Sequence, residues 1–199
     1  FYQQQSSPHV NGLAKKQLSL KLQVSHRKTQ LFTFREVFAG VGRLSKVVRR
    51  SARWHLGEMV EAYPHGVYDP SNDMLIDDVF ERLKHAATLP HQYWHIGIPC
   101  SSFSRLNVNL NHGTRCREHA AGDGSLEREV IGNQLASRCC ILIRTLEKHG
   151  NYWTVENPYS SFLWLLPSMK RLLLKTSTQT ARVHQCMCHL KLPGSGVNC

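Results

Sequence analysis

The chain has 199 residues, is 41% hydrophobic and 20% charged, and carries a formal net charge of +11. That size and balance suit one globular domain with an arm and exclude collagen-like and low-complexity classes. The longest apolar runs, such as residues 162–166, are far too short to span a bilayer, and the first residues, FYQQQSSPHV, have no apolar secretory core. The expectation is therefore a protein without a membrane partner; an intracellular location, nuclear in a eukaryote, goes with the reading of the motifs below. The first residue is not Met, so the chain is expected to be a fragment or a piece of a larger polypeptide; standing alone, it is expected to be a monomer.

The charge is uneven. Residues 1–50 hold ten Lys and Arg against one acid, Glu36, and the remainder holds 15 basic against 13 acidic residues. A basic leading segment suits a polyanion through counterion release, although a solvated arm is an equal reading. The cysteines number seven. Cys139 and Cys140 are adjacent in a helix-like stretch and no Cys-x-x-Cys pair occurs, so each is read as a thiol in a reducing compartment.

In chain order, residues 1–30 read as a basic, flexible arm, with Arg27 and Lys28 as candidate phosphate contacts. Residues 31–199 read as the core, incomplete at its C-terminus. A strand is predicted over 34–38, ending in Ala39-Gly40-Val41-Gly42. Leu44, Val47, Val48 and Ala52 then recur at helical spacing. A second strand is predicted over 55–62, a short helix over 77–85, and a third strand over 93–98 ending at Pro99-Cys100. Residues 101–125 are polar and read as a mobile functional loop. A long helix is predicted over 126–148, with Val130, Leu135, Leu142 and Leu146 as apolar positions and Gly150 as its stop. A strand at 152–155 leads to Glu156-Asn157-Pro158, followed by a helical patch at 162–174 and a strand at 181–187.

Strands alternating with helices predict an α/β domain, with a mostly parallel sheet and helices on both faces. Ligands in such sheets lie beyond the carboxyl ends of the strands. The glycine turn, Pro99-Cys100 and Glu156-Asn157 all fall there. Gly40 and Gly42 permit a tight bend and close approach to a ligand, but Ser45 stands where a full Gly-x-Gly-x-x-Gly has its third glycine. Glu61, 23 positions after Phe38, is placed to accept hydrogen bonds from ribose hydroxyls. Cys100 is a candidate nucleophile at a strand end, and Glu156 could hydrogen-bond a ring nitrogen or move a proton.

Taken together, Phe38-Ala39-Gly40-Val41-Gly42, Gly97-Ile98-Pro99-Cys100-Ser101-Ser102-Phe103-Ser104 and Val155-Glu156-Asn157-Pro158 resemble motifs of the cytosine-C5 DNA methyltransferases, in that family's order. The resemblance covers residues 34–165 and is similar to methyltransferase modules carried in mobile elements. It implies a Rossmann-like S-adenosylmethionine-dependent methyltransferase fold with DNA as partner, or RNA in a close variant. It further implies that Cys100 attacks C6 of a flipped cytosine, that Glu156 binds the pyrimidine near N3, and that Asn157 and Pro99 position the two. Phe38, Ala39, Gly40, Gly42, Arg43, Leu44 and Glu61 would line the cofactor site, with Asp77 or Asp78 near adenine. Ser102, Ser104, Arg105 and Arg115 would face nucleic acid.

The chain departs from the family's pattern in several places. Glu36 stands where the family has Asp, Arg43 where it has a second Gly, and Ser101 where it has Gln. The Gln-x-Arg-x-Arg motif is reduced to Arg182 as a candidate remnant with a catalytic role. The closing Gly-Asn motif is missing, and Gly132-Asn133, inside the long helix, is read as unrelated. These departures keep an inactive module that binds cofactor or nucleic acid as the alternative. A cysteine hydrolase pairing Cys100 with a histidine is the third reading. His184, Cys186, Cys188 and His189 lack the second pair that a zinc site needs, so no metal is expected and sheet packing is the better reading. Trp153, Phe162 and Trp164 are read as core.

Overall fold

The computed structural model describes residues 31–61, 69–175 and 178–183. The predicted arm at 1–30 and the His184, Cys186, Cys188 and His189 group lie outside them.

Four strands form one all-parallel sheet in the order β2-β1-β3-β4: β1 (Phe32–Val37), β2 (Trp54–Leu56), β3 (Gln92–Ile96) and β4 (Tyr152–Val155). The helices are α1 (Arg43–Arg49), α2 (Asp77–Thr88), α3 (Arg105–Leu110), α4 (Glu127–Lys148) and α5 (Pro167–Lys175). The chain leaves β1 toward β2 through α1, and passes from β3 to β4 on the other side of β1 through α4. Right-handed crossovers running in opposite directions put their helices on opposite faces. Glu36 of β1 bonds Ser45 of α1 on one face. On the other, Val37, Trp94 and Ile96 join one core cluster with Val79 and Leu83 of α2, Leu135 and Leu142 of α4, and Met169 of α5. The arrangement is α/β, a parallel sheet flanked by helices, compatible with a Rossmann-like fold. Among the described residues, no helix is long and apolar enough to cross a membrane.

Local chemistry explains the element ends. Asp77 and Asp78 occupy the first turn of α2, where carboxylates oppose the helix dipole. α4 stops at Gly150, whose φ is +69°. The Gly150 amide donates to the Glu147 carbonyl and the Asn151 amide to the Leu146 carbonyl, a Schellman closure that favours glycine at this position. The Asn151 side chain then accepts from the Gln92 amide and donates to the carbonyls of Ala87 and Leu89, joining the starts of β3 and β4 to the end of α2.

Several expectations are corrected. The second strand is short, Trp54–Leu56, followed by a lone bridge from Val60 to Val37. The apolar stripe predicted for α1 does not face the core: Leu44 is 37% and Val47 63% exposed, whereas Ser45 is 1% exposed. A hydrogen bond to a buried acid, not apolar packing, sets the rotation of this two-turn helix. Val130 likewise lies outward on α4. The helical patch at 162–174 divides into a 3-10 turn, Phe162–Leu165, and α5. Leu166 between them has ψ 135°, as the ring of Pro167 requires of the residue before it. Residues 181–183 are not in a strand, and the rest of the strand expected at 181–187 lies outside the described residues.

Candidate active site

The glycine turn lies between two buried carboxylates. Phe38, Gly40 and Gly42 all have positive φ, at 61°, 55° and 65°. For phenylalanine this conformation is uncommon and carries strain. It is held because the amides of Phe38 and Ala39 both donate to the Val60 carbonyl, at 2.7 and 3.0 Å. Glu61, 3% exposed, accepts the Gly40 amide hydrogen. Glu36, 6% exposed, accepts from the Ser45 amide at 2.8 Å and from its hydroxyl. The acid that the sequence assigns to a ribose thus also braces the turn. Glu36 anchors α1 through Ser45, the serine that stands in the third glycine position. Ser45→Ala should cost about 1–3 kcal/mol by leaving a buried acceptor short of a donor, measured as a lower denaturant midpoint.

The three sequence clusters meet at the carboxyl ends of β1, β3 and β4. Gly97 lies between two of them: a Cβ built there would be 3.6 Å from the Phe38 carbonyl oxygen and 3.9 Å from a Glu156 carboxylate oxygen. The Glu156 amide donates to the Ile96 carbonyl at 3.0 Å. Asn157 Nδ2 donates to the Ile98 carbonyl at 2.7 Å, fixing the Glu156 loop to the residue before Pro99. The Phe162 amide donates to the Phe103 carbonyl at 2.9 Å, closing the same two loops farther out. Glu156 is exposed and Pro99 half-buried. Of the four described cysteines, Cys100 is the exposed one. Burial raises the thiols of Cys139 and Cys140 above their ordinary value, so both stay protonated and inert. Among the described residues, no histidine hydrogen-bonds the Cys100 thiol.

The remaining predicted residues divide. Arg105 is exposed, with its guanidinium 5.7 Å from the Phe162 ring centroid. Arg182 is exposed and sits 4.6 Å from the centroid of Tyr159, three positions beyond Glu156, so it belongs to the rim of this loop. The Ser104 amide donates to the Cys100 carbonyl at 2.8 Å and its own carbonyl opens α3. Arg43 and Leu44 begin α1 and are exposed. Asp77 pairs with Arg138 of α4, tying it to that helix; Asp78 has no such pairing among the ion pairs of the described residues. Ser102 and Arg115 require a correction. They are 6% and 3% exposed, and Arg115 Nη2 donates to Ser102 Oγ at 3.3 Å. Neither is open to a phosphate.

The mobile loop expected at 101–125 is also corrected. It contains α3, and its second half is pinned to α4. Glu129, 1% exposed, accepts from the Thr114 amide at 2.9 Å and from the Thr114 hydroxyl. Gly122 passes so close that a Cβ there would lie 2.0 Å from a Glu129 oxygen. Glu129, Gly132 and Asn133, at helix positions i, i+3 and i+4, form an inward polar stripe. That spacing is present in the sequence, where the apolar positions of the same helix give the stronger signal.

His95 lies in register with Glu36 on β1 and Thr154 on β4, and its Nδ1 is 3.0 Å from Thr154 Oγ1. Burial lowers its pKa, against opposing pulls from Glu36 and Glu156. The unfolded chain therefore takes up this proton more readily than the folded one. Stability from this source is intact above about pH 6.5, the ordinary histidine value, and is lost as pH falls through the lower folded value. Melting temperature should decline on that acid limb, and His95→Gln should flatten it; an unchanged limb would count against the assignment.

No protein-family model, curated protein or solved structure matches the chain.

Proposed function

We propose that this chain is the catalytic core of an S-adenosylmethionine-dependent cytosine-C5 methyltransferase acting on DNA, with Cys100 as nucleophile. The observation that carries the reading is the position of Gly97 between the Phe38 carbonyl and the Glu156 carboxylate, three residues before Cys100. The glycine turn, the Cys100 loop and Glu156 follow the carboxyl ends of β1, β3 and β4, along one edge of the sheet.

The strained turn at Phe38, Gly40 and Gly42 suits a nucleoside-bearing cofactor, because glycine backbone admits close approach, and buried Glu61, bonded to the Gly40 amide, braces that turn from behind. When bound, S-adenosylmethionine supplies an electrophilic methyl group. Cys100, as thiolate, forms a bond to C6 of the extruded cytosine while Glu156, in its neutral acid form, donates its proton to N3 and so neutralises the negative charge moved there. The pair of electrons displaced from the C5–C6 bond makes C5 nucleophilic. Once C5 has taken the methyl group and left the donor as a neutral thioether, loss of the C5 proton to water returns its bonding pair to the C5–C6 bond, and the C6–S bond breaks to free the Cys100 thiolate. Extrusion is needed because these atoms are inaccessible in the stack. Asn157, bonded to the Ile98 carbonyl, keeps the acid and the thiol loop in fixed relation.

Incubation with S-adenosylmethionine and duplex DNA containing 5-fluorocytosine tests this. Fluorine cannot leave as a cation, so a covalent protein–DNA complex should accumulate. Its absence from a folded protein shown to bind the cofactor would favour the inactive module; adducts with 5-fluorocytosine in RNA alone would move the substrate to RNA.

A further inference from the structure

Arg115 is 3% exposed, and its guanidinium links three segments: its own loop, α4 and the turn that carries Cys100. Nη1 donates to the Ala120 carbonyl at 2.6 Å and to Asn133 Oδ1 at 2.8 Å. Nη2 donates to the Glu129 carbonyl at 2.9 Å and to Ser102 Oγ at 3.3 Å. The guanidinium carbon sits 4.1 Å from the ring centroid of Phe103, itself wholly buried. Asn133 Nδ2 reaches back to the Ala121 carbonyl at 2.8 Å. The turn held beneath this cation is 100–104, in which the amides of Phe103 and Ser104 both donate to the Cys100 carbonyl.

Gly132 makes the contact possible. A Cβ there would lie 2.3 Å from Ser102 Oγ, 3.2 Å from Arg115 Nη2 and 3.3 Å from the Phe103 ring. A helix-interior glycine weakens a helix relative to alanine, and a buried guanidinium bears a desolvation cost that an apolar side chain of similar size avoids. Stability alone is a poor reason for both features. What they achieve together is a unique register between the Cys100 turn and α4, the most extensively packed helix.

We infer that Arg115, Gly132 and Asn133 form a clasp that positions the Cys100 turn, with Ser102 as the hydroxyl it grips. They are positioning residues and touch neither base nor cofactor. The inference rests on the reading of Cys100 as nucleophile. Displacing a reacting group by about 1 Å can cost on the order of a hundredfold in rate, so a clasp built for catalysis should register in the chemical step and not in cofactor affinity.

The test uses the full chain with Ser102→Ala, Arg115→Ala and Gly132→Ala, and Leu142→Ala as a core control on the same helix. Adduct formation with 5-fluorocytosine DNA should fall about 10- to 100-fold in the clasp variants, with S-adenosylmethionine affinity within about twofold of the parent, while Leu142→Ala lowers melting temperature and keeps the adduct rate. Millimolar guanidinium should partly restore Arg115→Ala. Adduct rates that follow melting temperature across all four variants, or a Ser102→Ala protein indistinguishable from the parent, would overturn the clasp. Should the parent form no adduct, the proposed function fails and the clasp is judged by iodoacetamide labelling of Cys100, located by peptide mass. A labelling rate altered severalfold by Ser102→Ala and Gly132→Ala, but not by Leu142→Ala, supports it; equal rates overturn it.

Discussion

Cys100→Ser should abolish covalent trapping and lower methyl transfer by at least about three orders of magnitude, the scale seen when an enzyme loses its nucleophile. A serine hydroxyl keeps the size and the position of the side chain but is ionised to a negligible extent near neutral pH, so no attack on C6 begins. Because Cys100 is exposed, the exchange should change stability by no more than about 0.5 kcal/mol, and cofactor affinity should be unmoved. On the proposed mechanism, Glu156→Gln should retain the fold and cost roughly 100- to 1,000-fold in the chemical step, since an amide can hydrogen-bond N3 but has no acidic proton to give it. The informative contrast is with Cys139→Ser, which places a hydroxyl in a wholly buried apolar site and should lower stability while leaving trapping intact. Tritium transfer from labelled S-adenosylmethionine, measured beside melting temperature for each variant, separates these outcomes. A Cys100→Ser protein that still methylates would remove the covalent mechanism.

Glu129→Ala should be among the most destabilising single changes, at about 3 kcal/mol, or roughly 6–12 °C in melting temperature for a chain of this size. Its carboxylate is 1% exposed and takes both hydrogens of Thr114. Truncation leaves the Thr114 amide and hydroxyl without their acceptor and removes the nearest balance to the buried charge of Arg115, whose pKa burial lowers and Glu129 raises. Glu129→Gln, which keeps one acceptor oxygen, should recover part of the loss. Thermal denaturation of the two variants checks the ordering. A Glu129→Ala protein within about 0.5 kcal/mol of the parent would show that water replaces the carboxylate at no cost.

The strands at 34–38, 93–98 and 152–155 and the long helix at 126–148 were legible because their hydrophobic patterns are set by burial in a sheet or against it, and each shows in a window of a few residues. The order in which the glycine turn, the thiol and the acid occur was also readable, as was their expected place at strand ends. The orientation of α1 was not. Its Leu44 and Val47 look like a core stripe, and only the partner on another element, Glu36, reveals that Ser45 points inward.

The loop at 101–125 shows the same limit more sharply. Its polar composition reads as solvent-facing, and Arg115 reads as a phosphate contact. Composition cannot tell a polar residue facing water from one facing a polar stripe on a helix brought beside it by the fold. The sequence by itself determined that this is an α/β chain with candidate site residues at three strand ends. Tertiary structure alone decided that those ends meet around Gly97, and that the polar loop is anchored to α4 through Glu129, Gly132 and Asn133. Periodicity is written into neighbouring positions, whereas the partner of a buried polar group is chosen by packing between segments far apart in the chain.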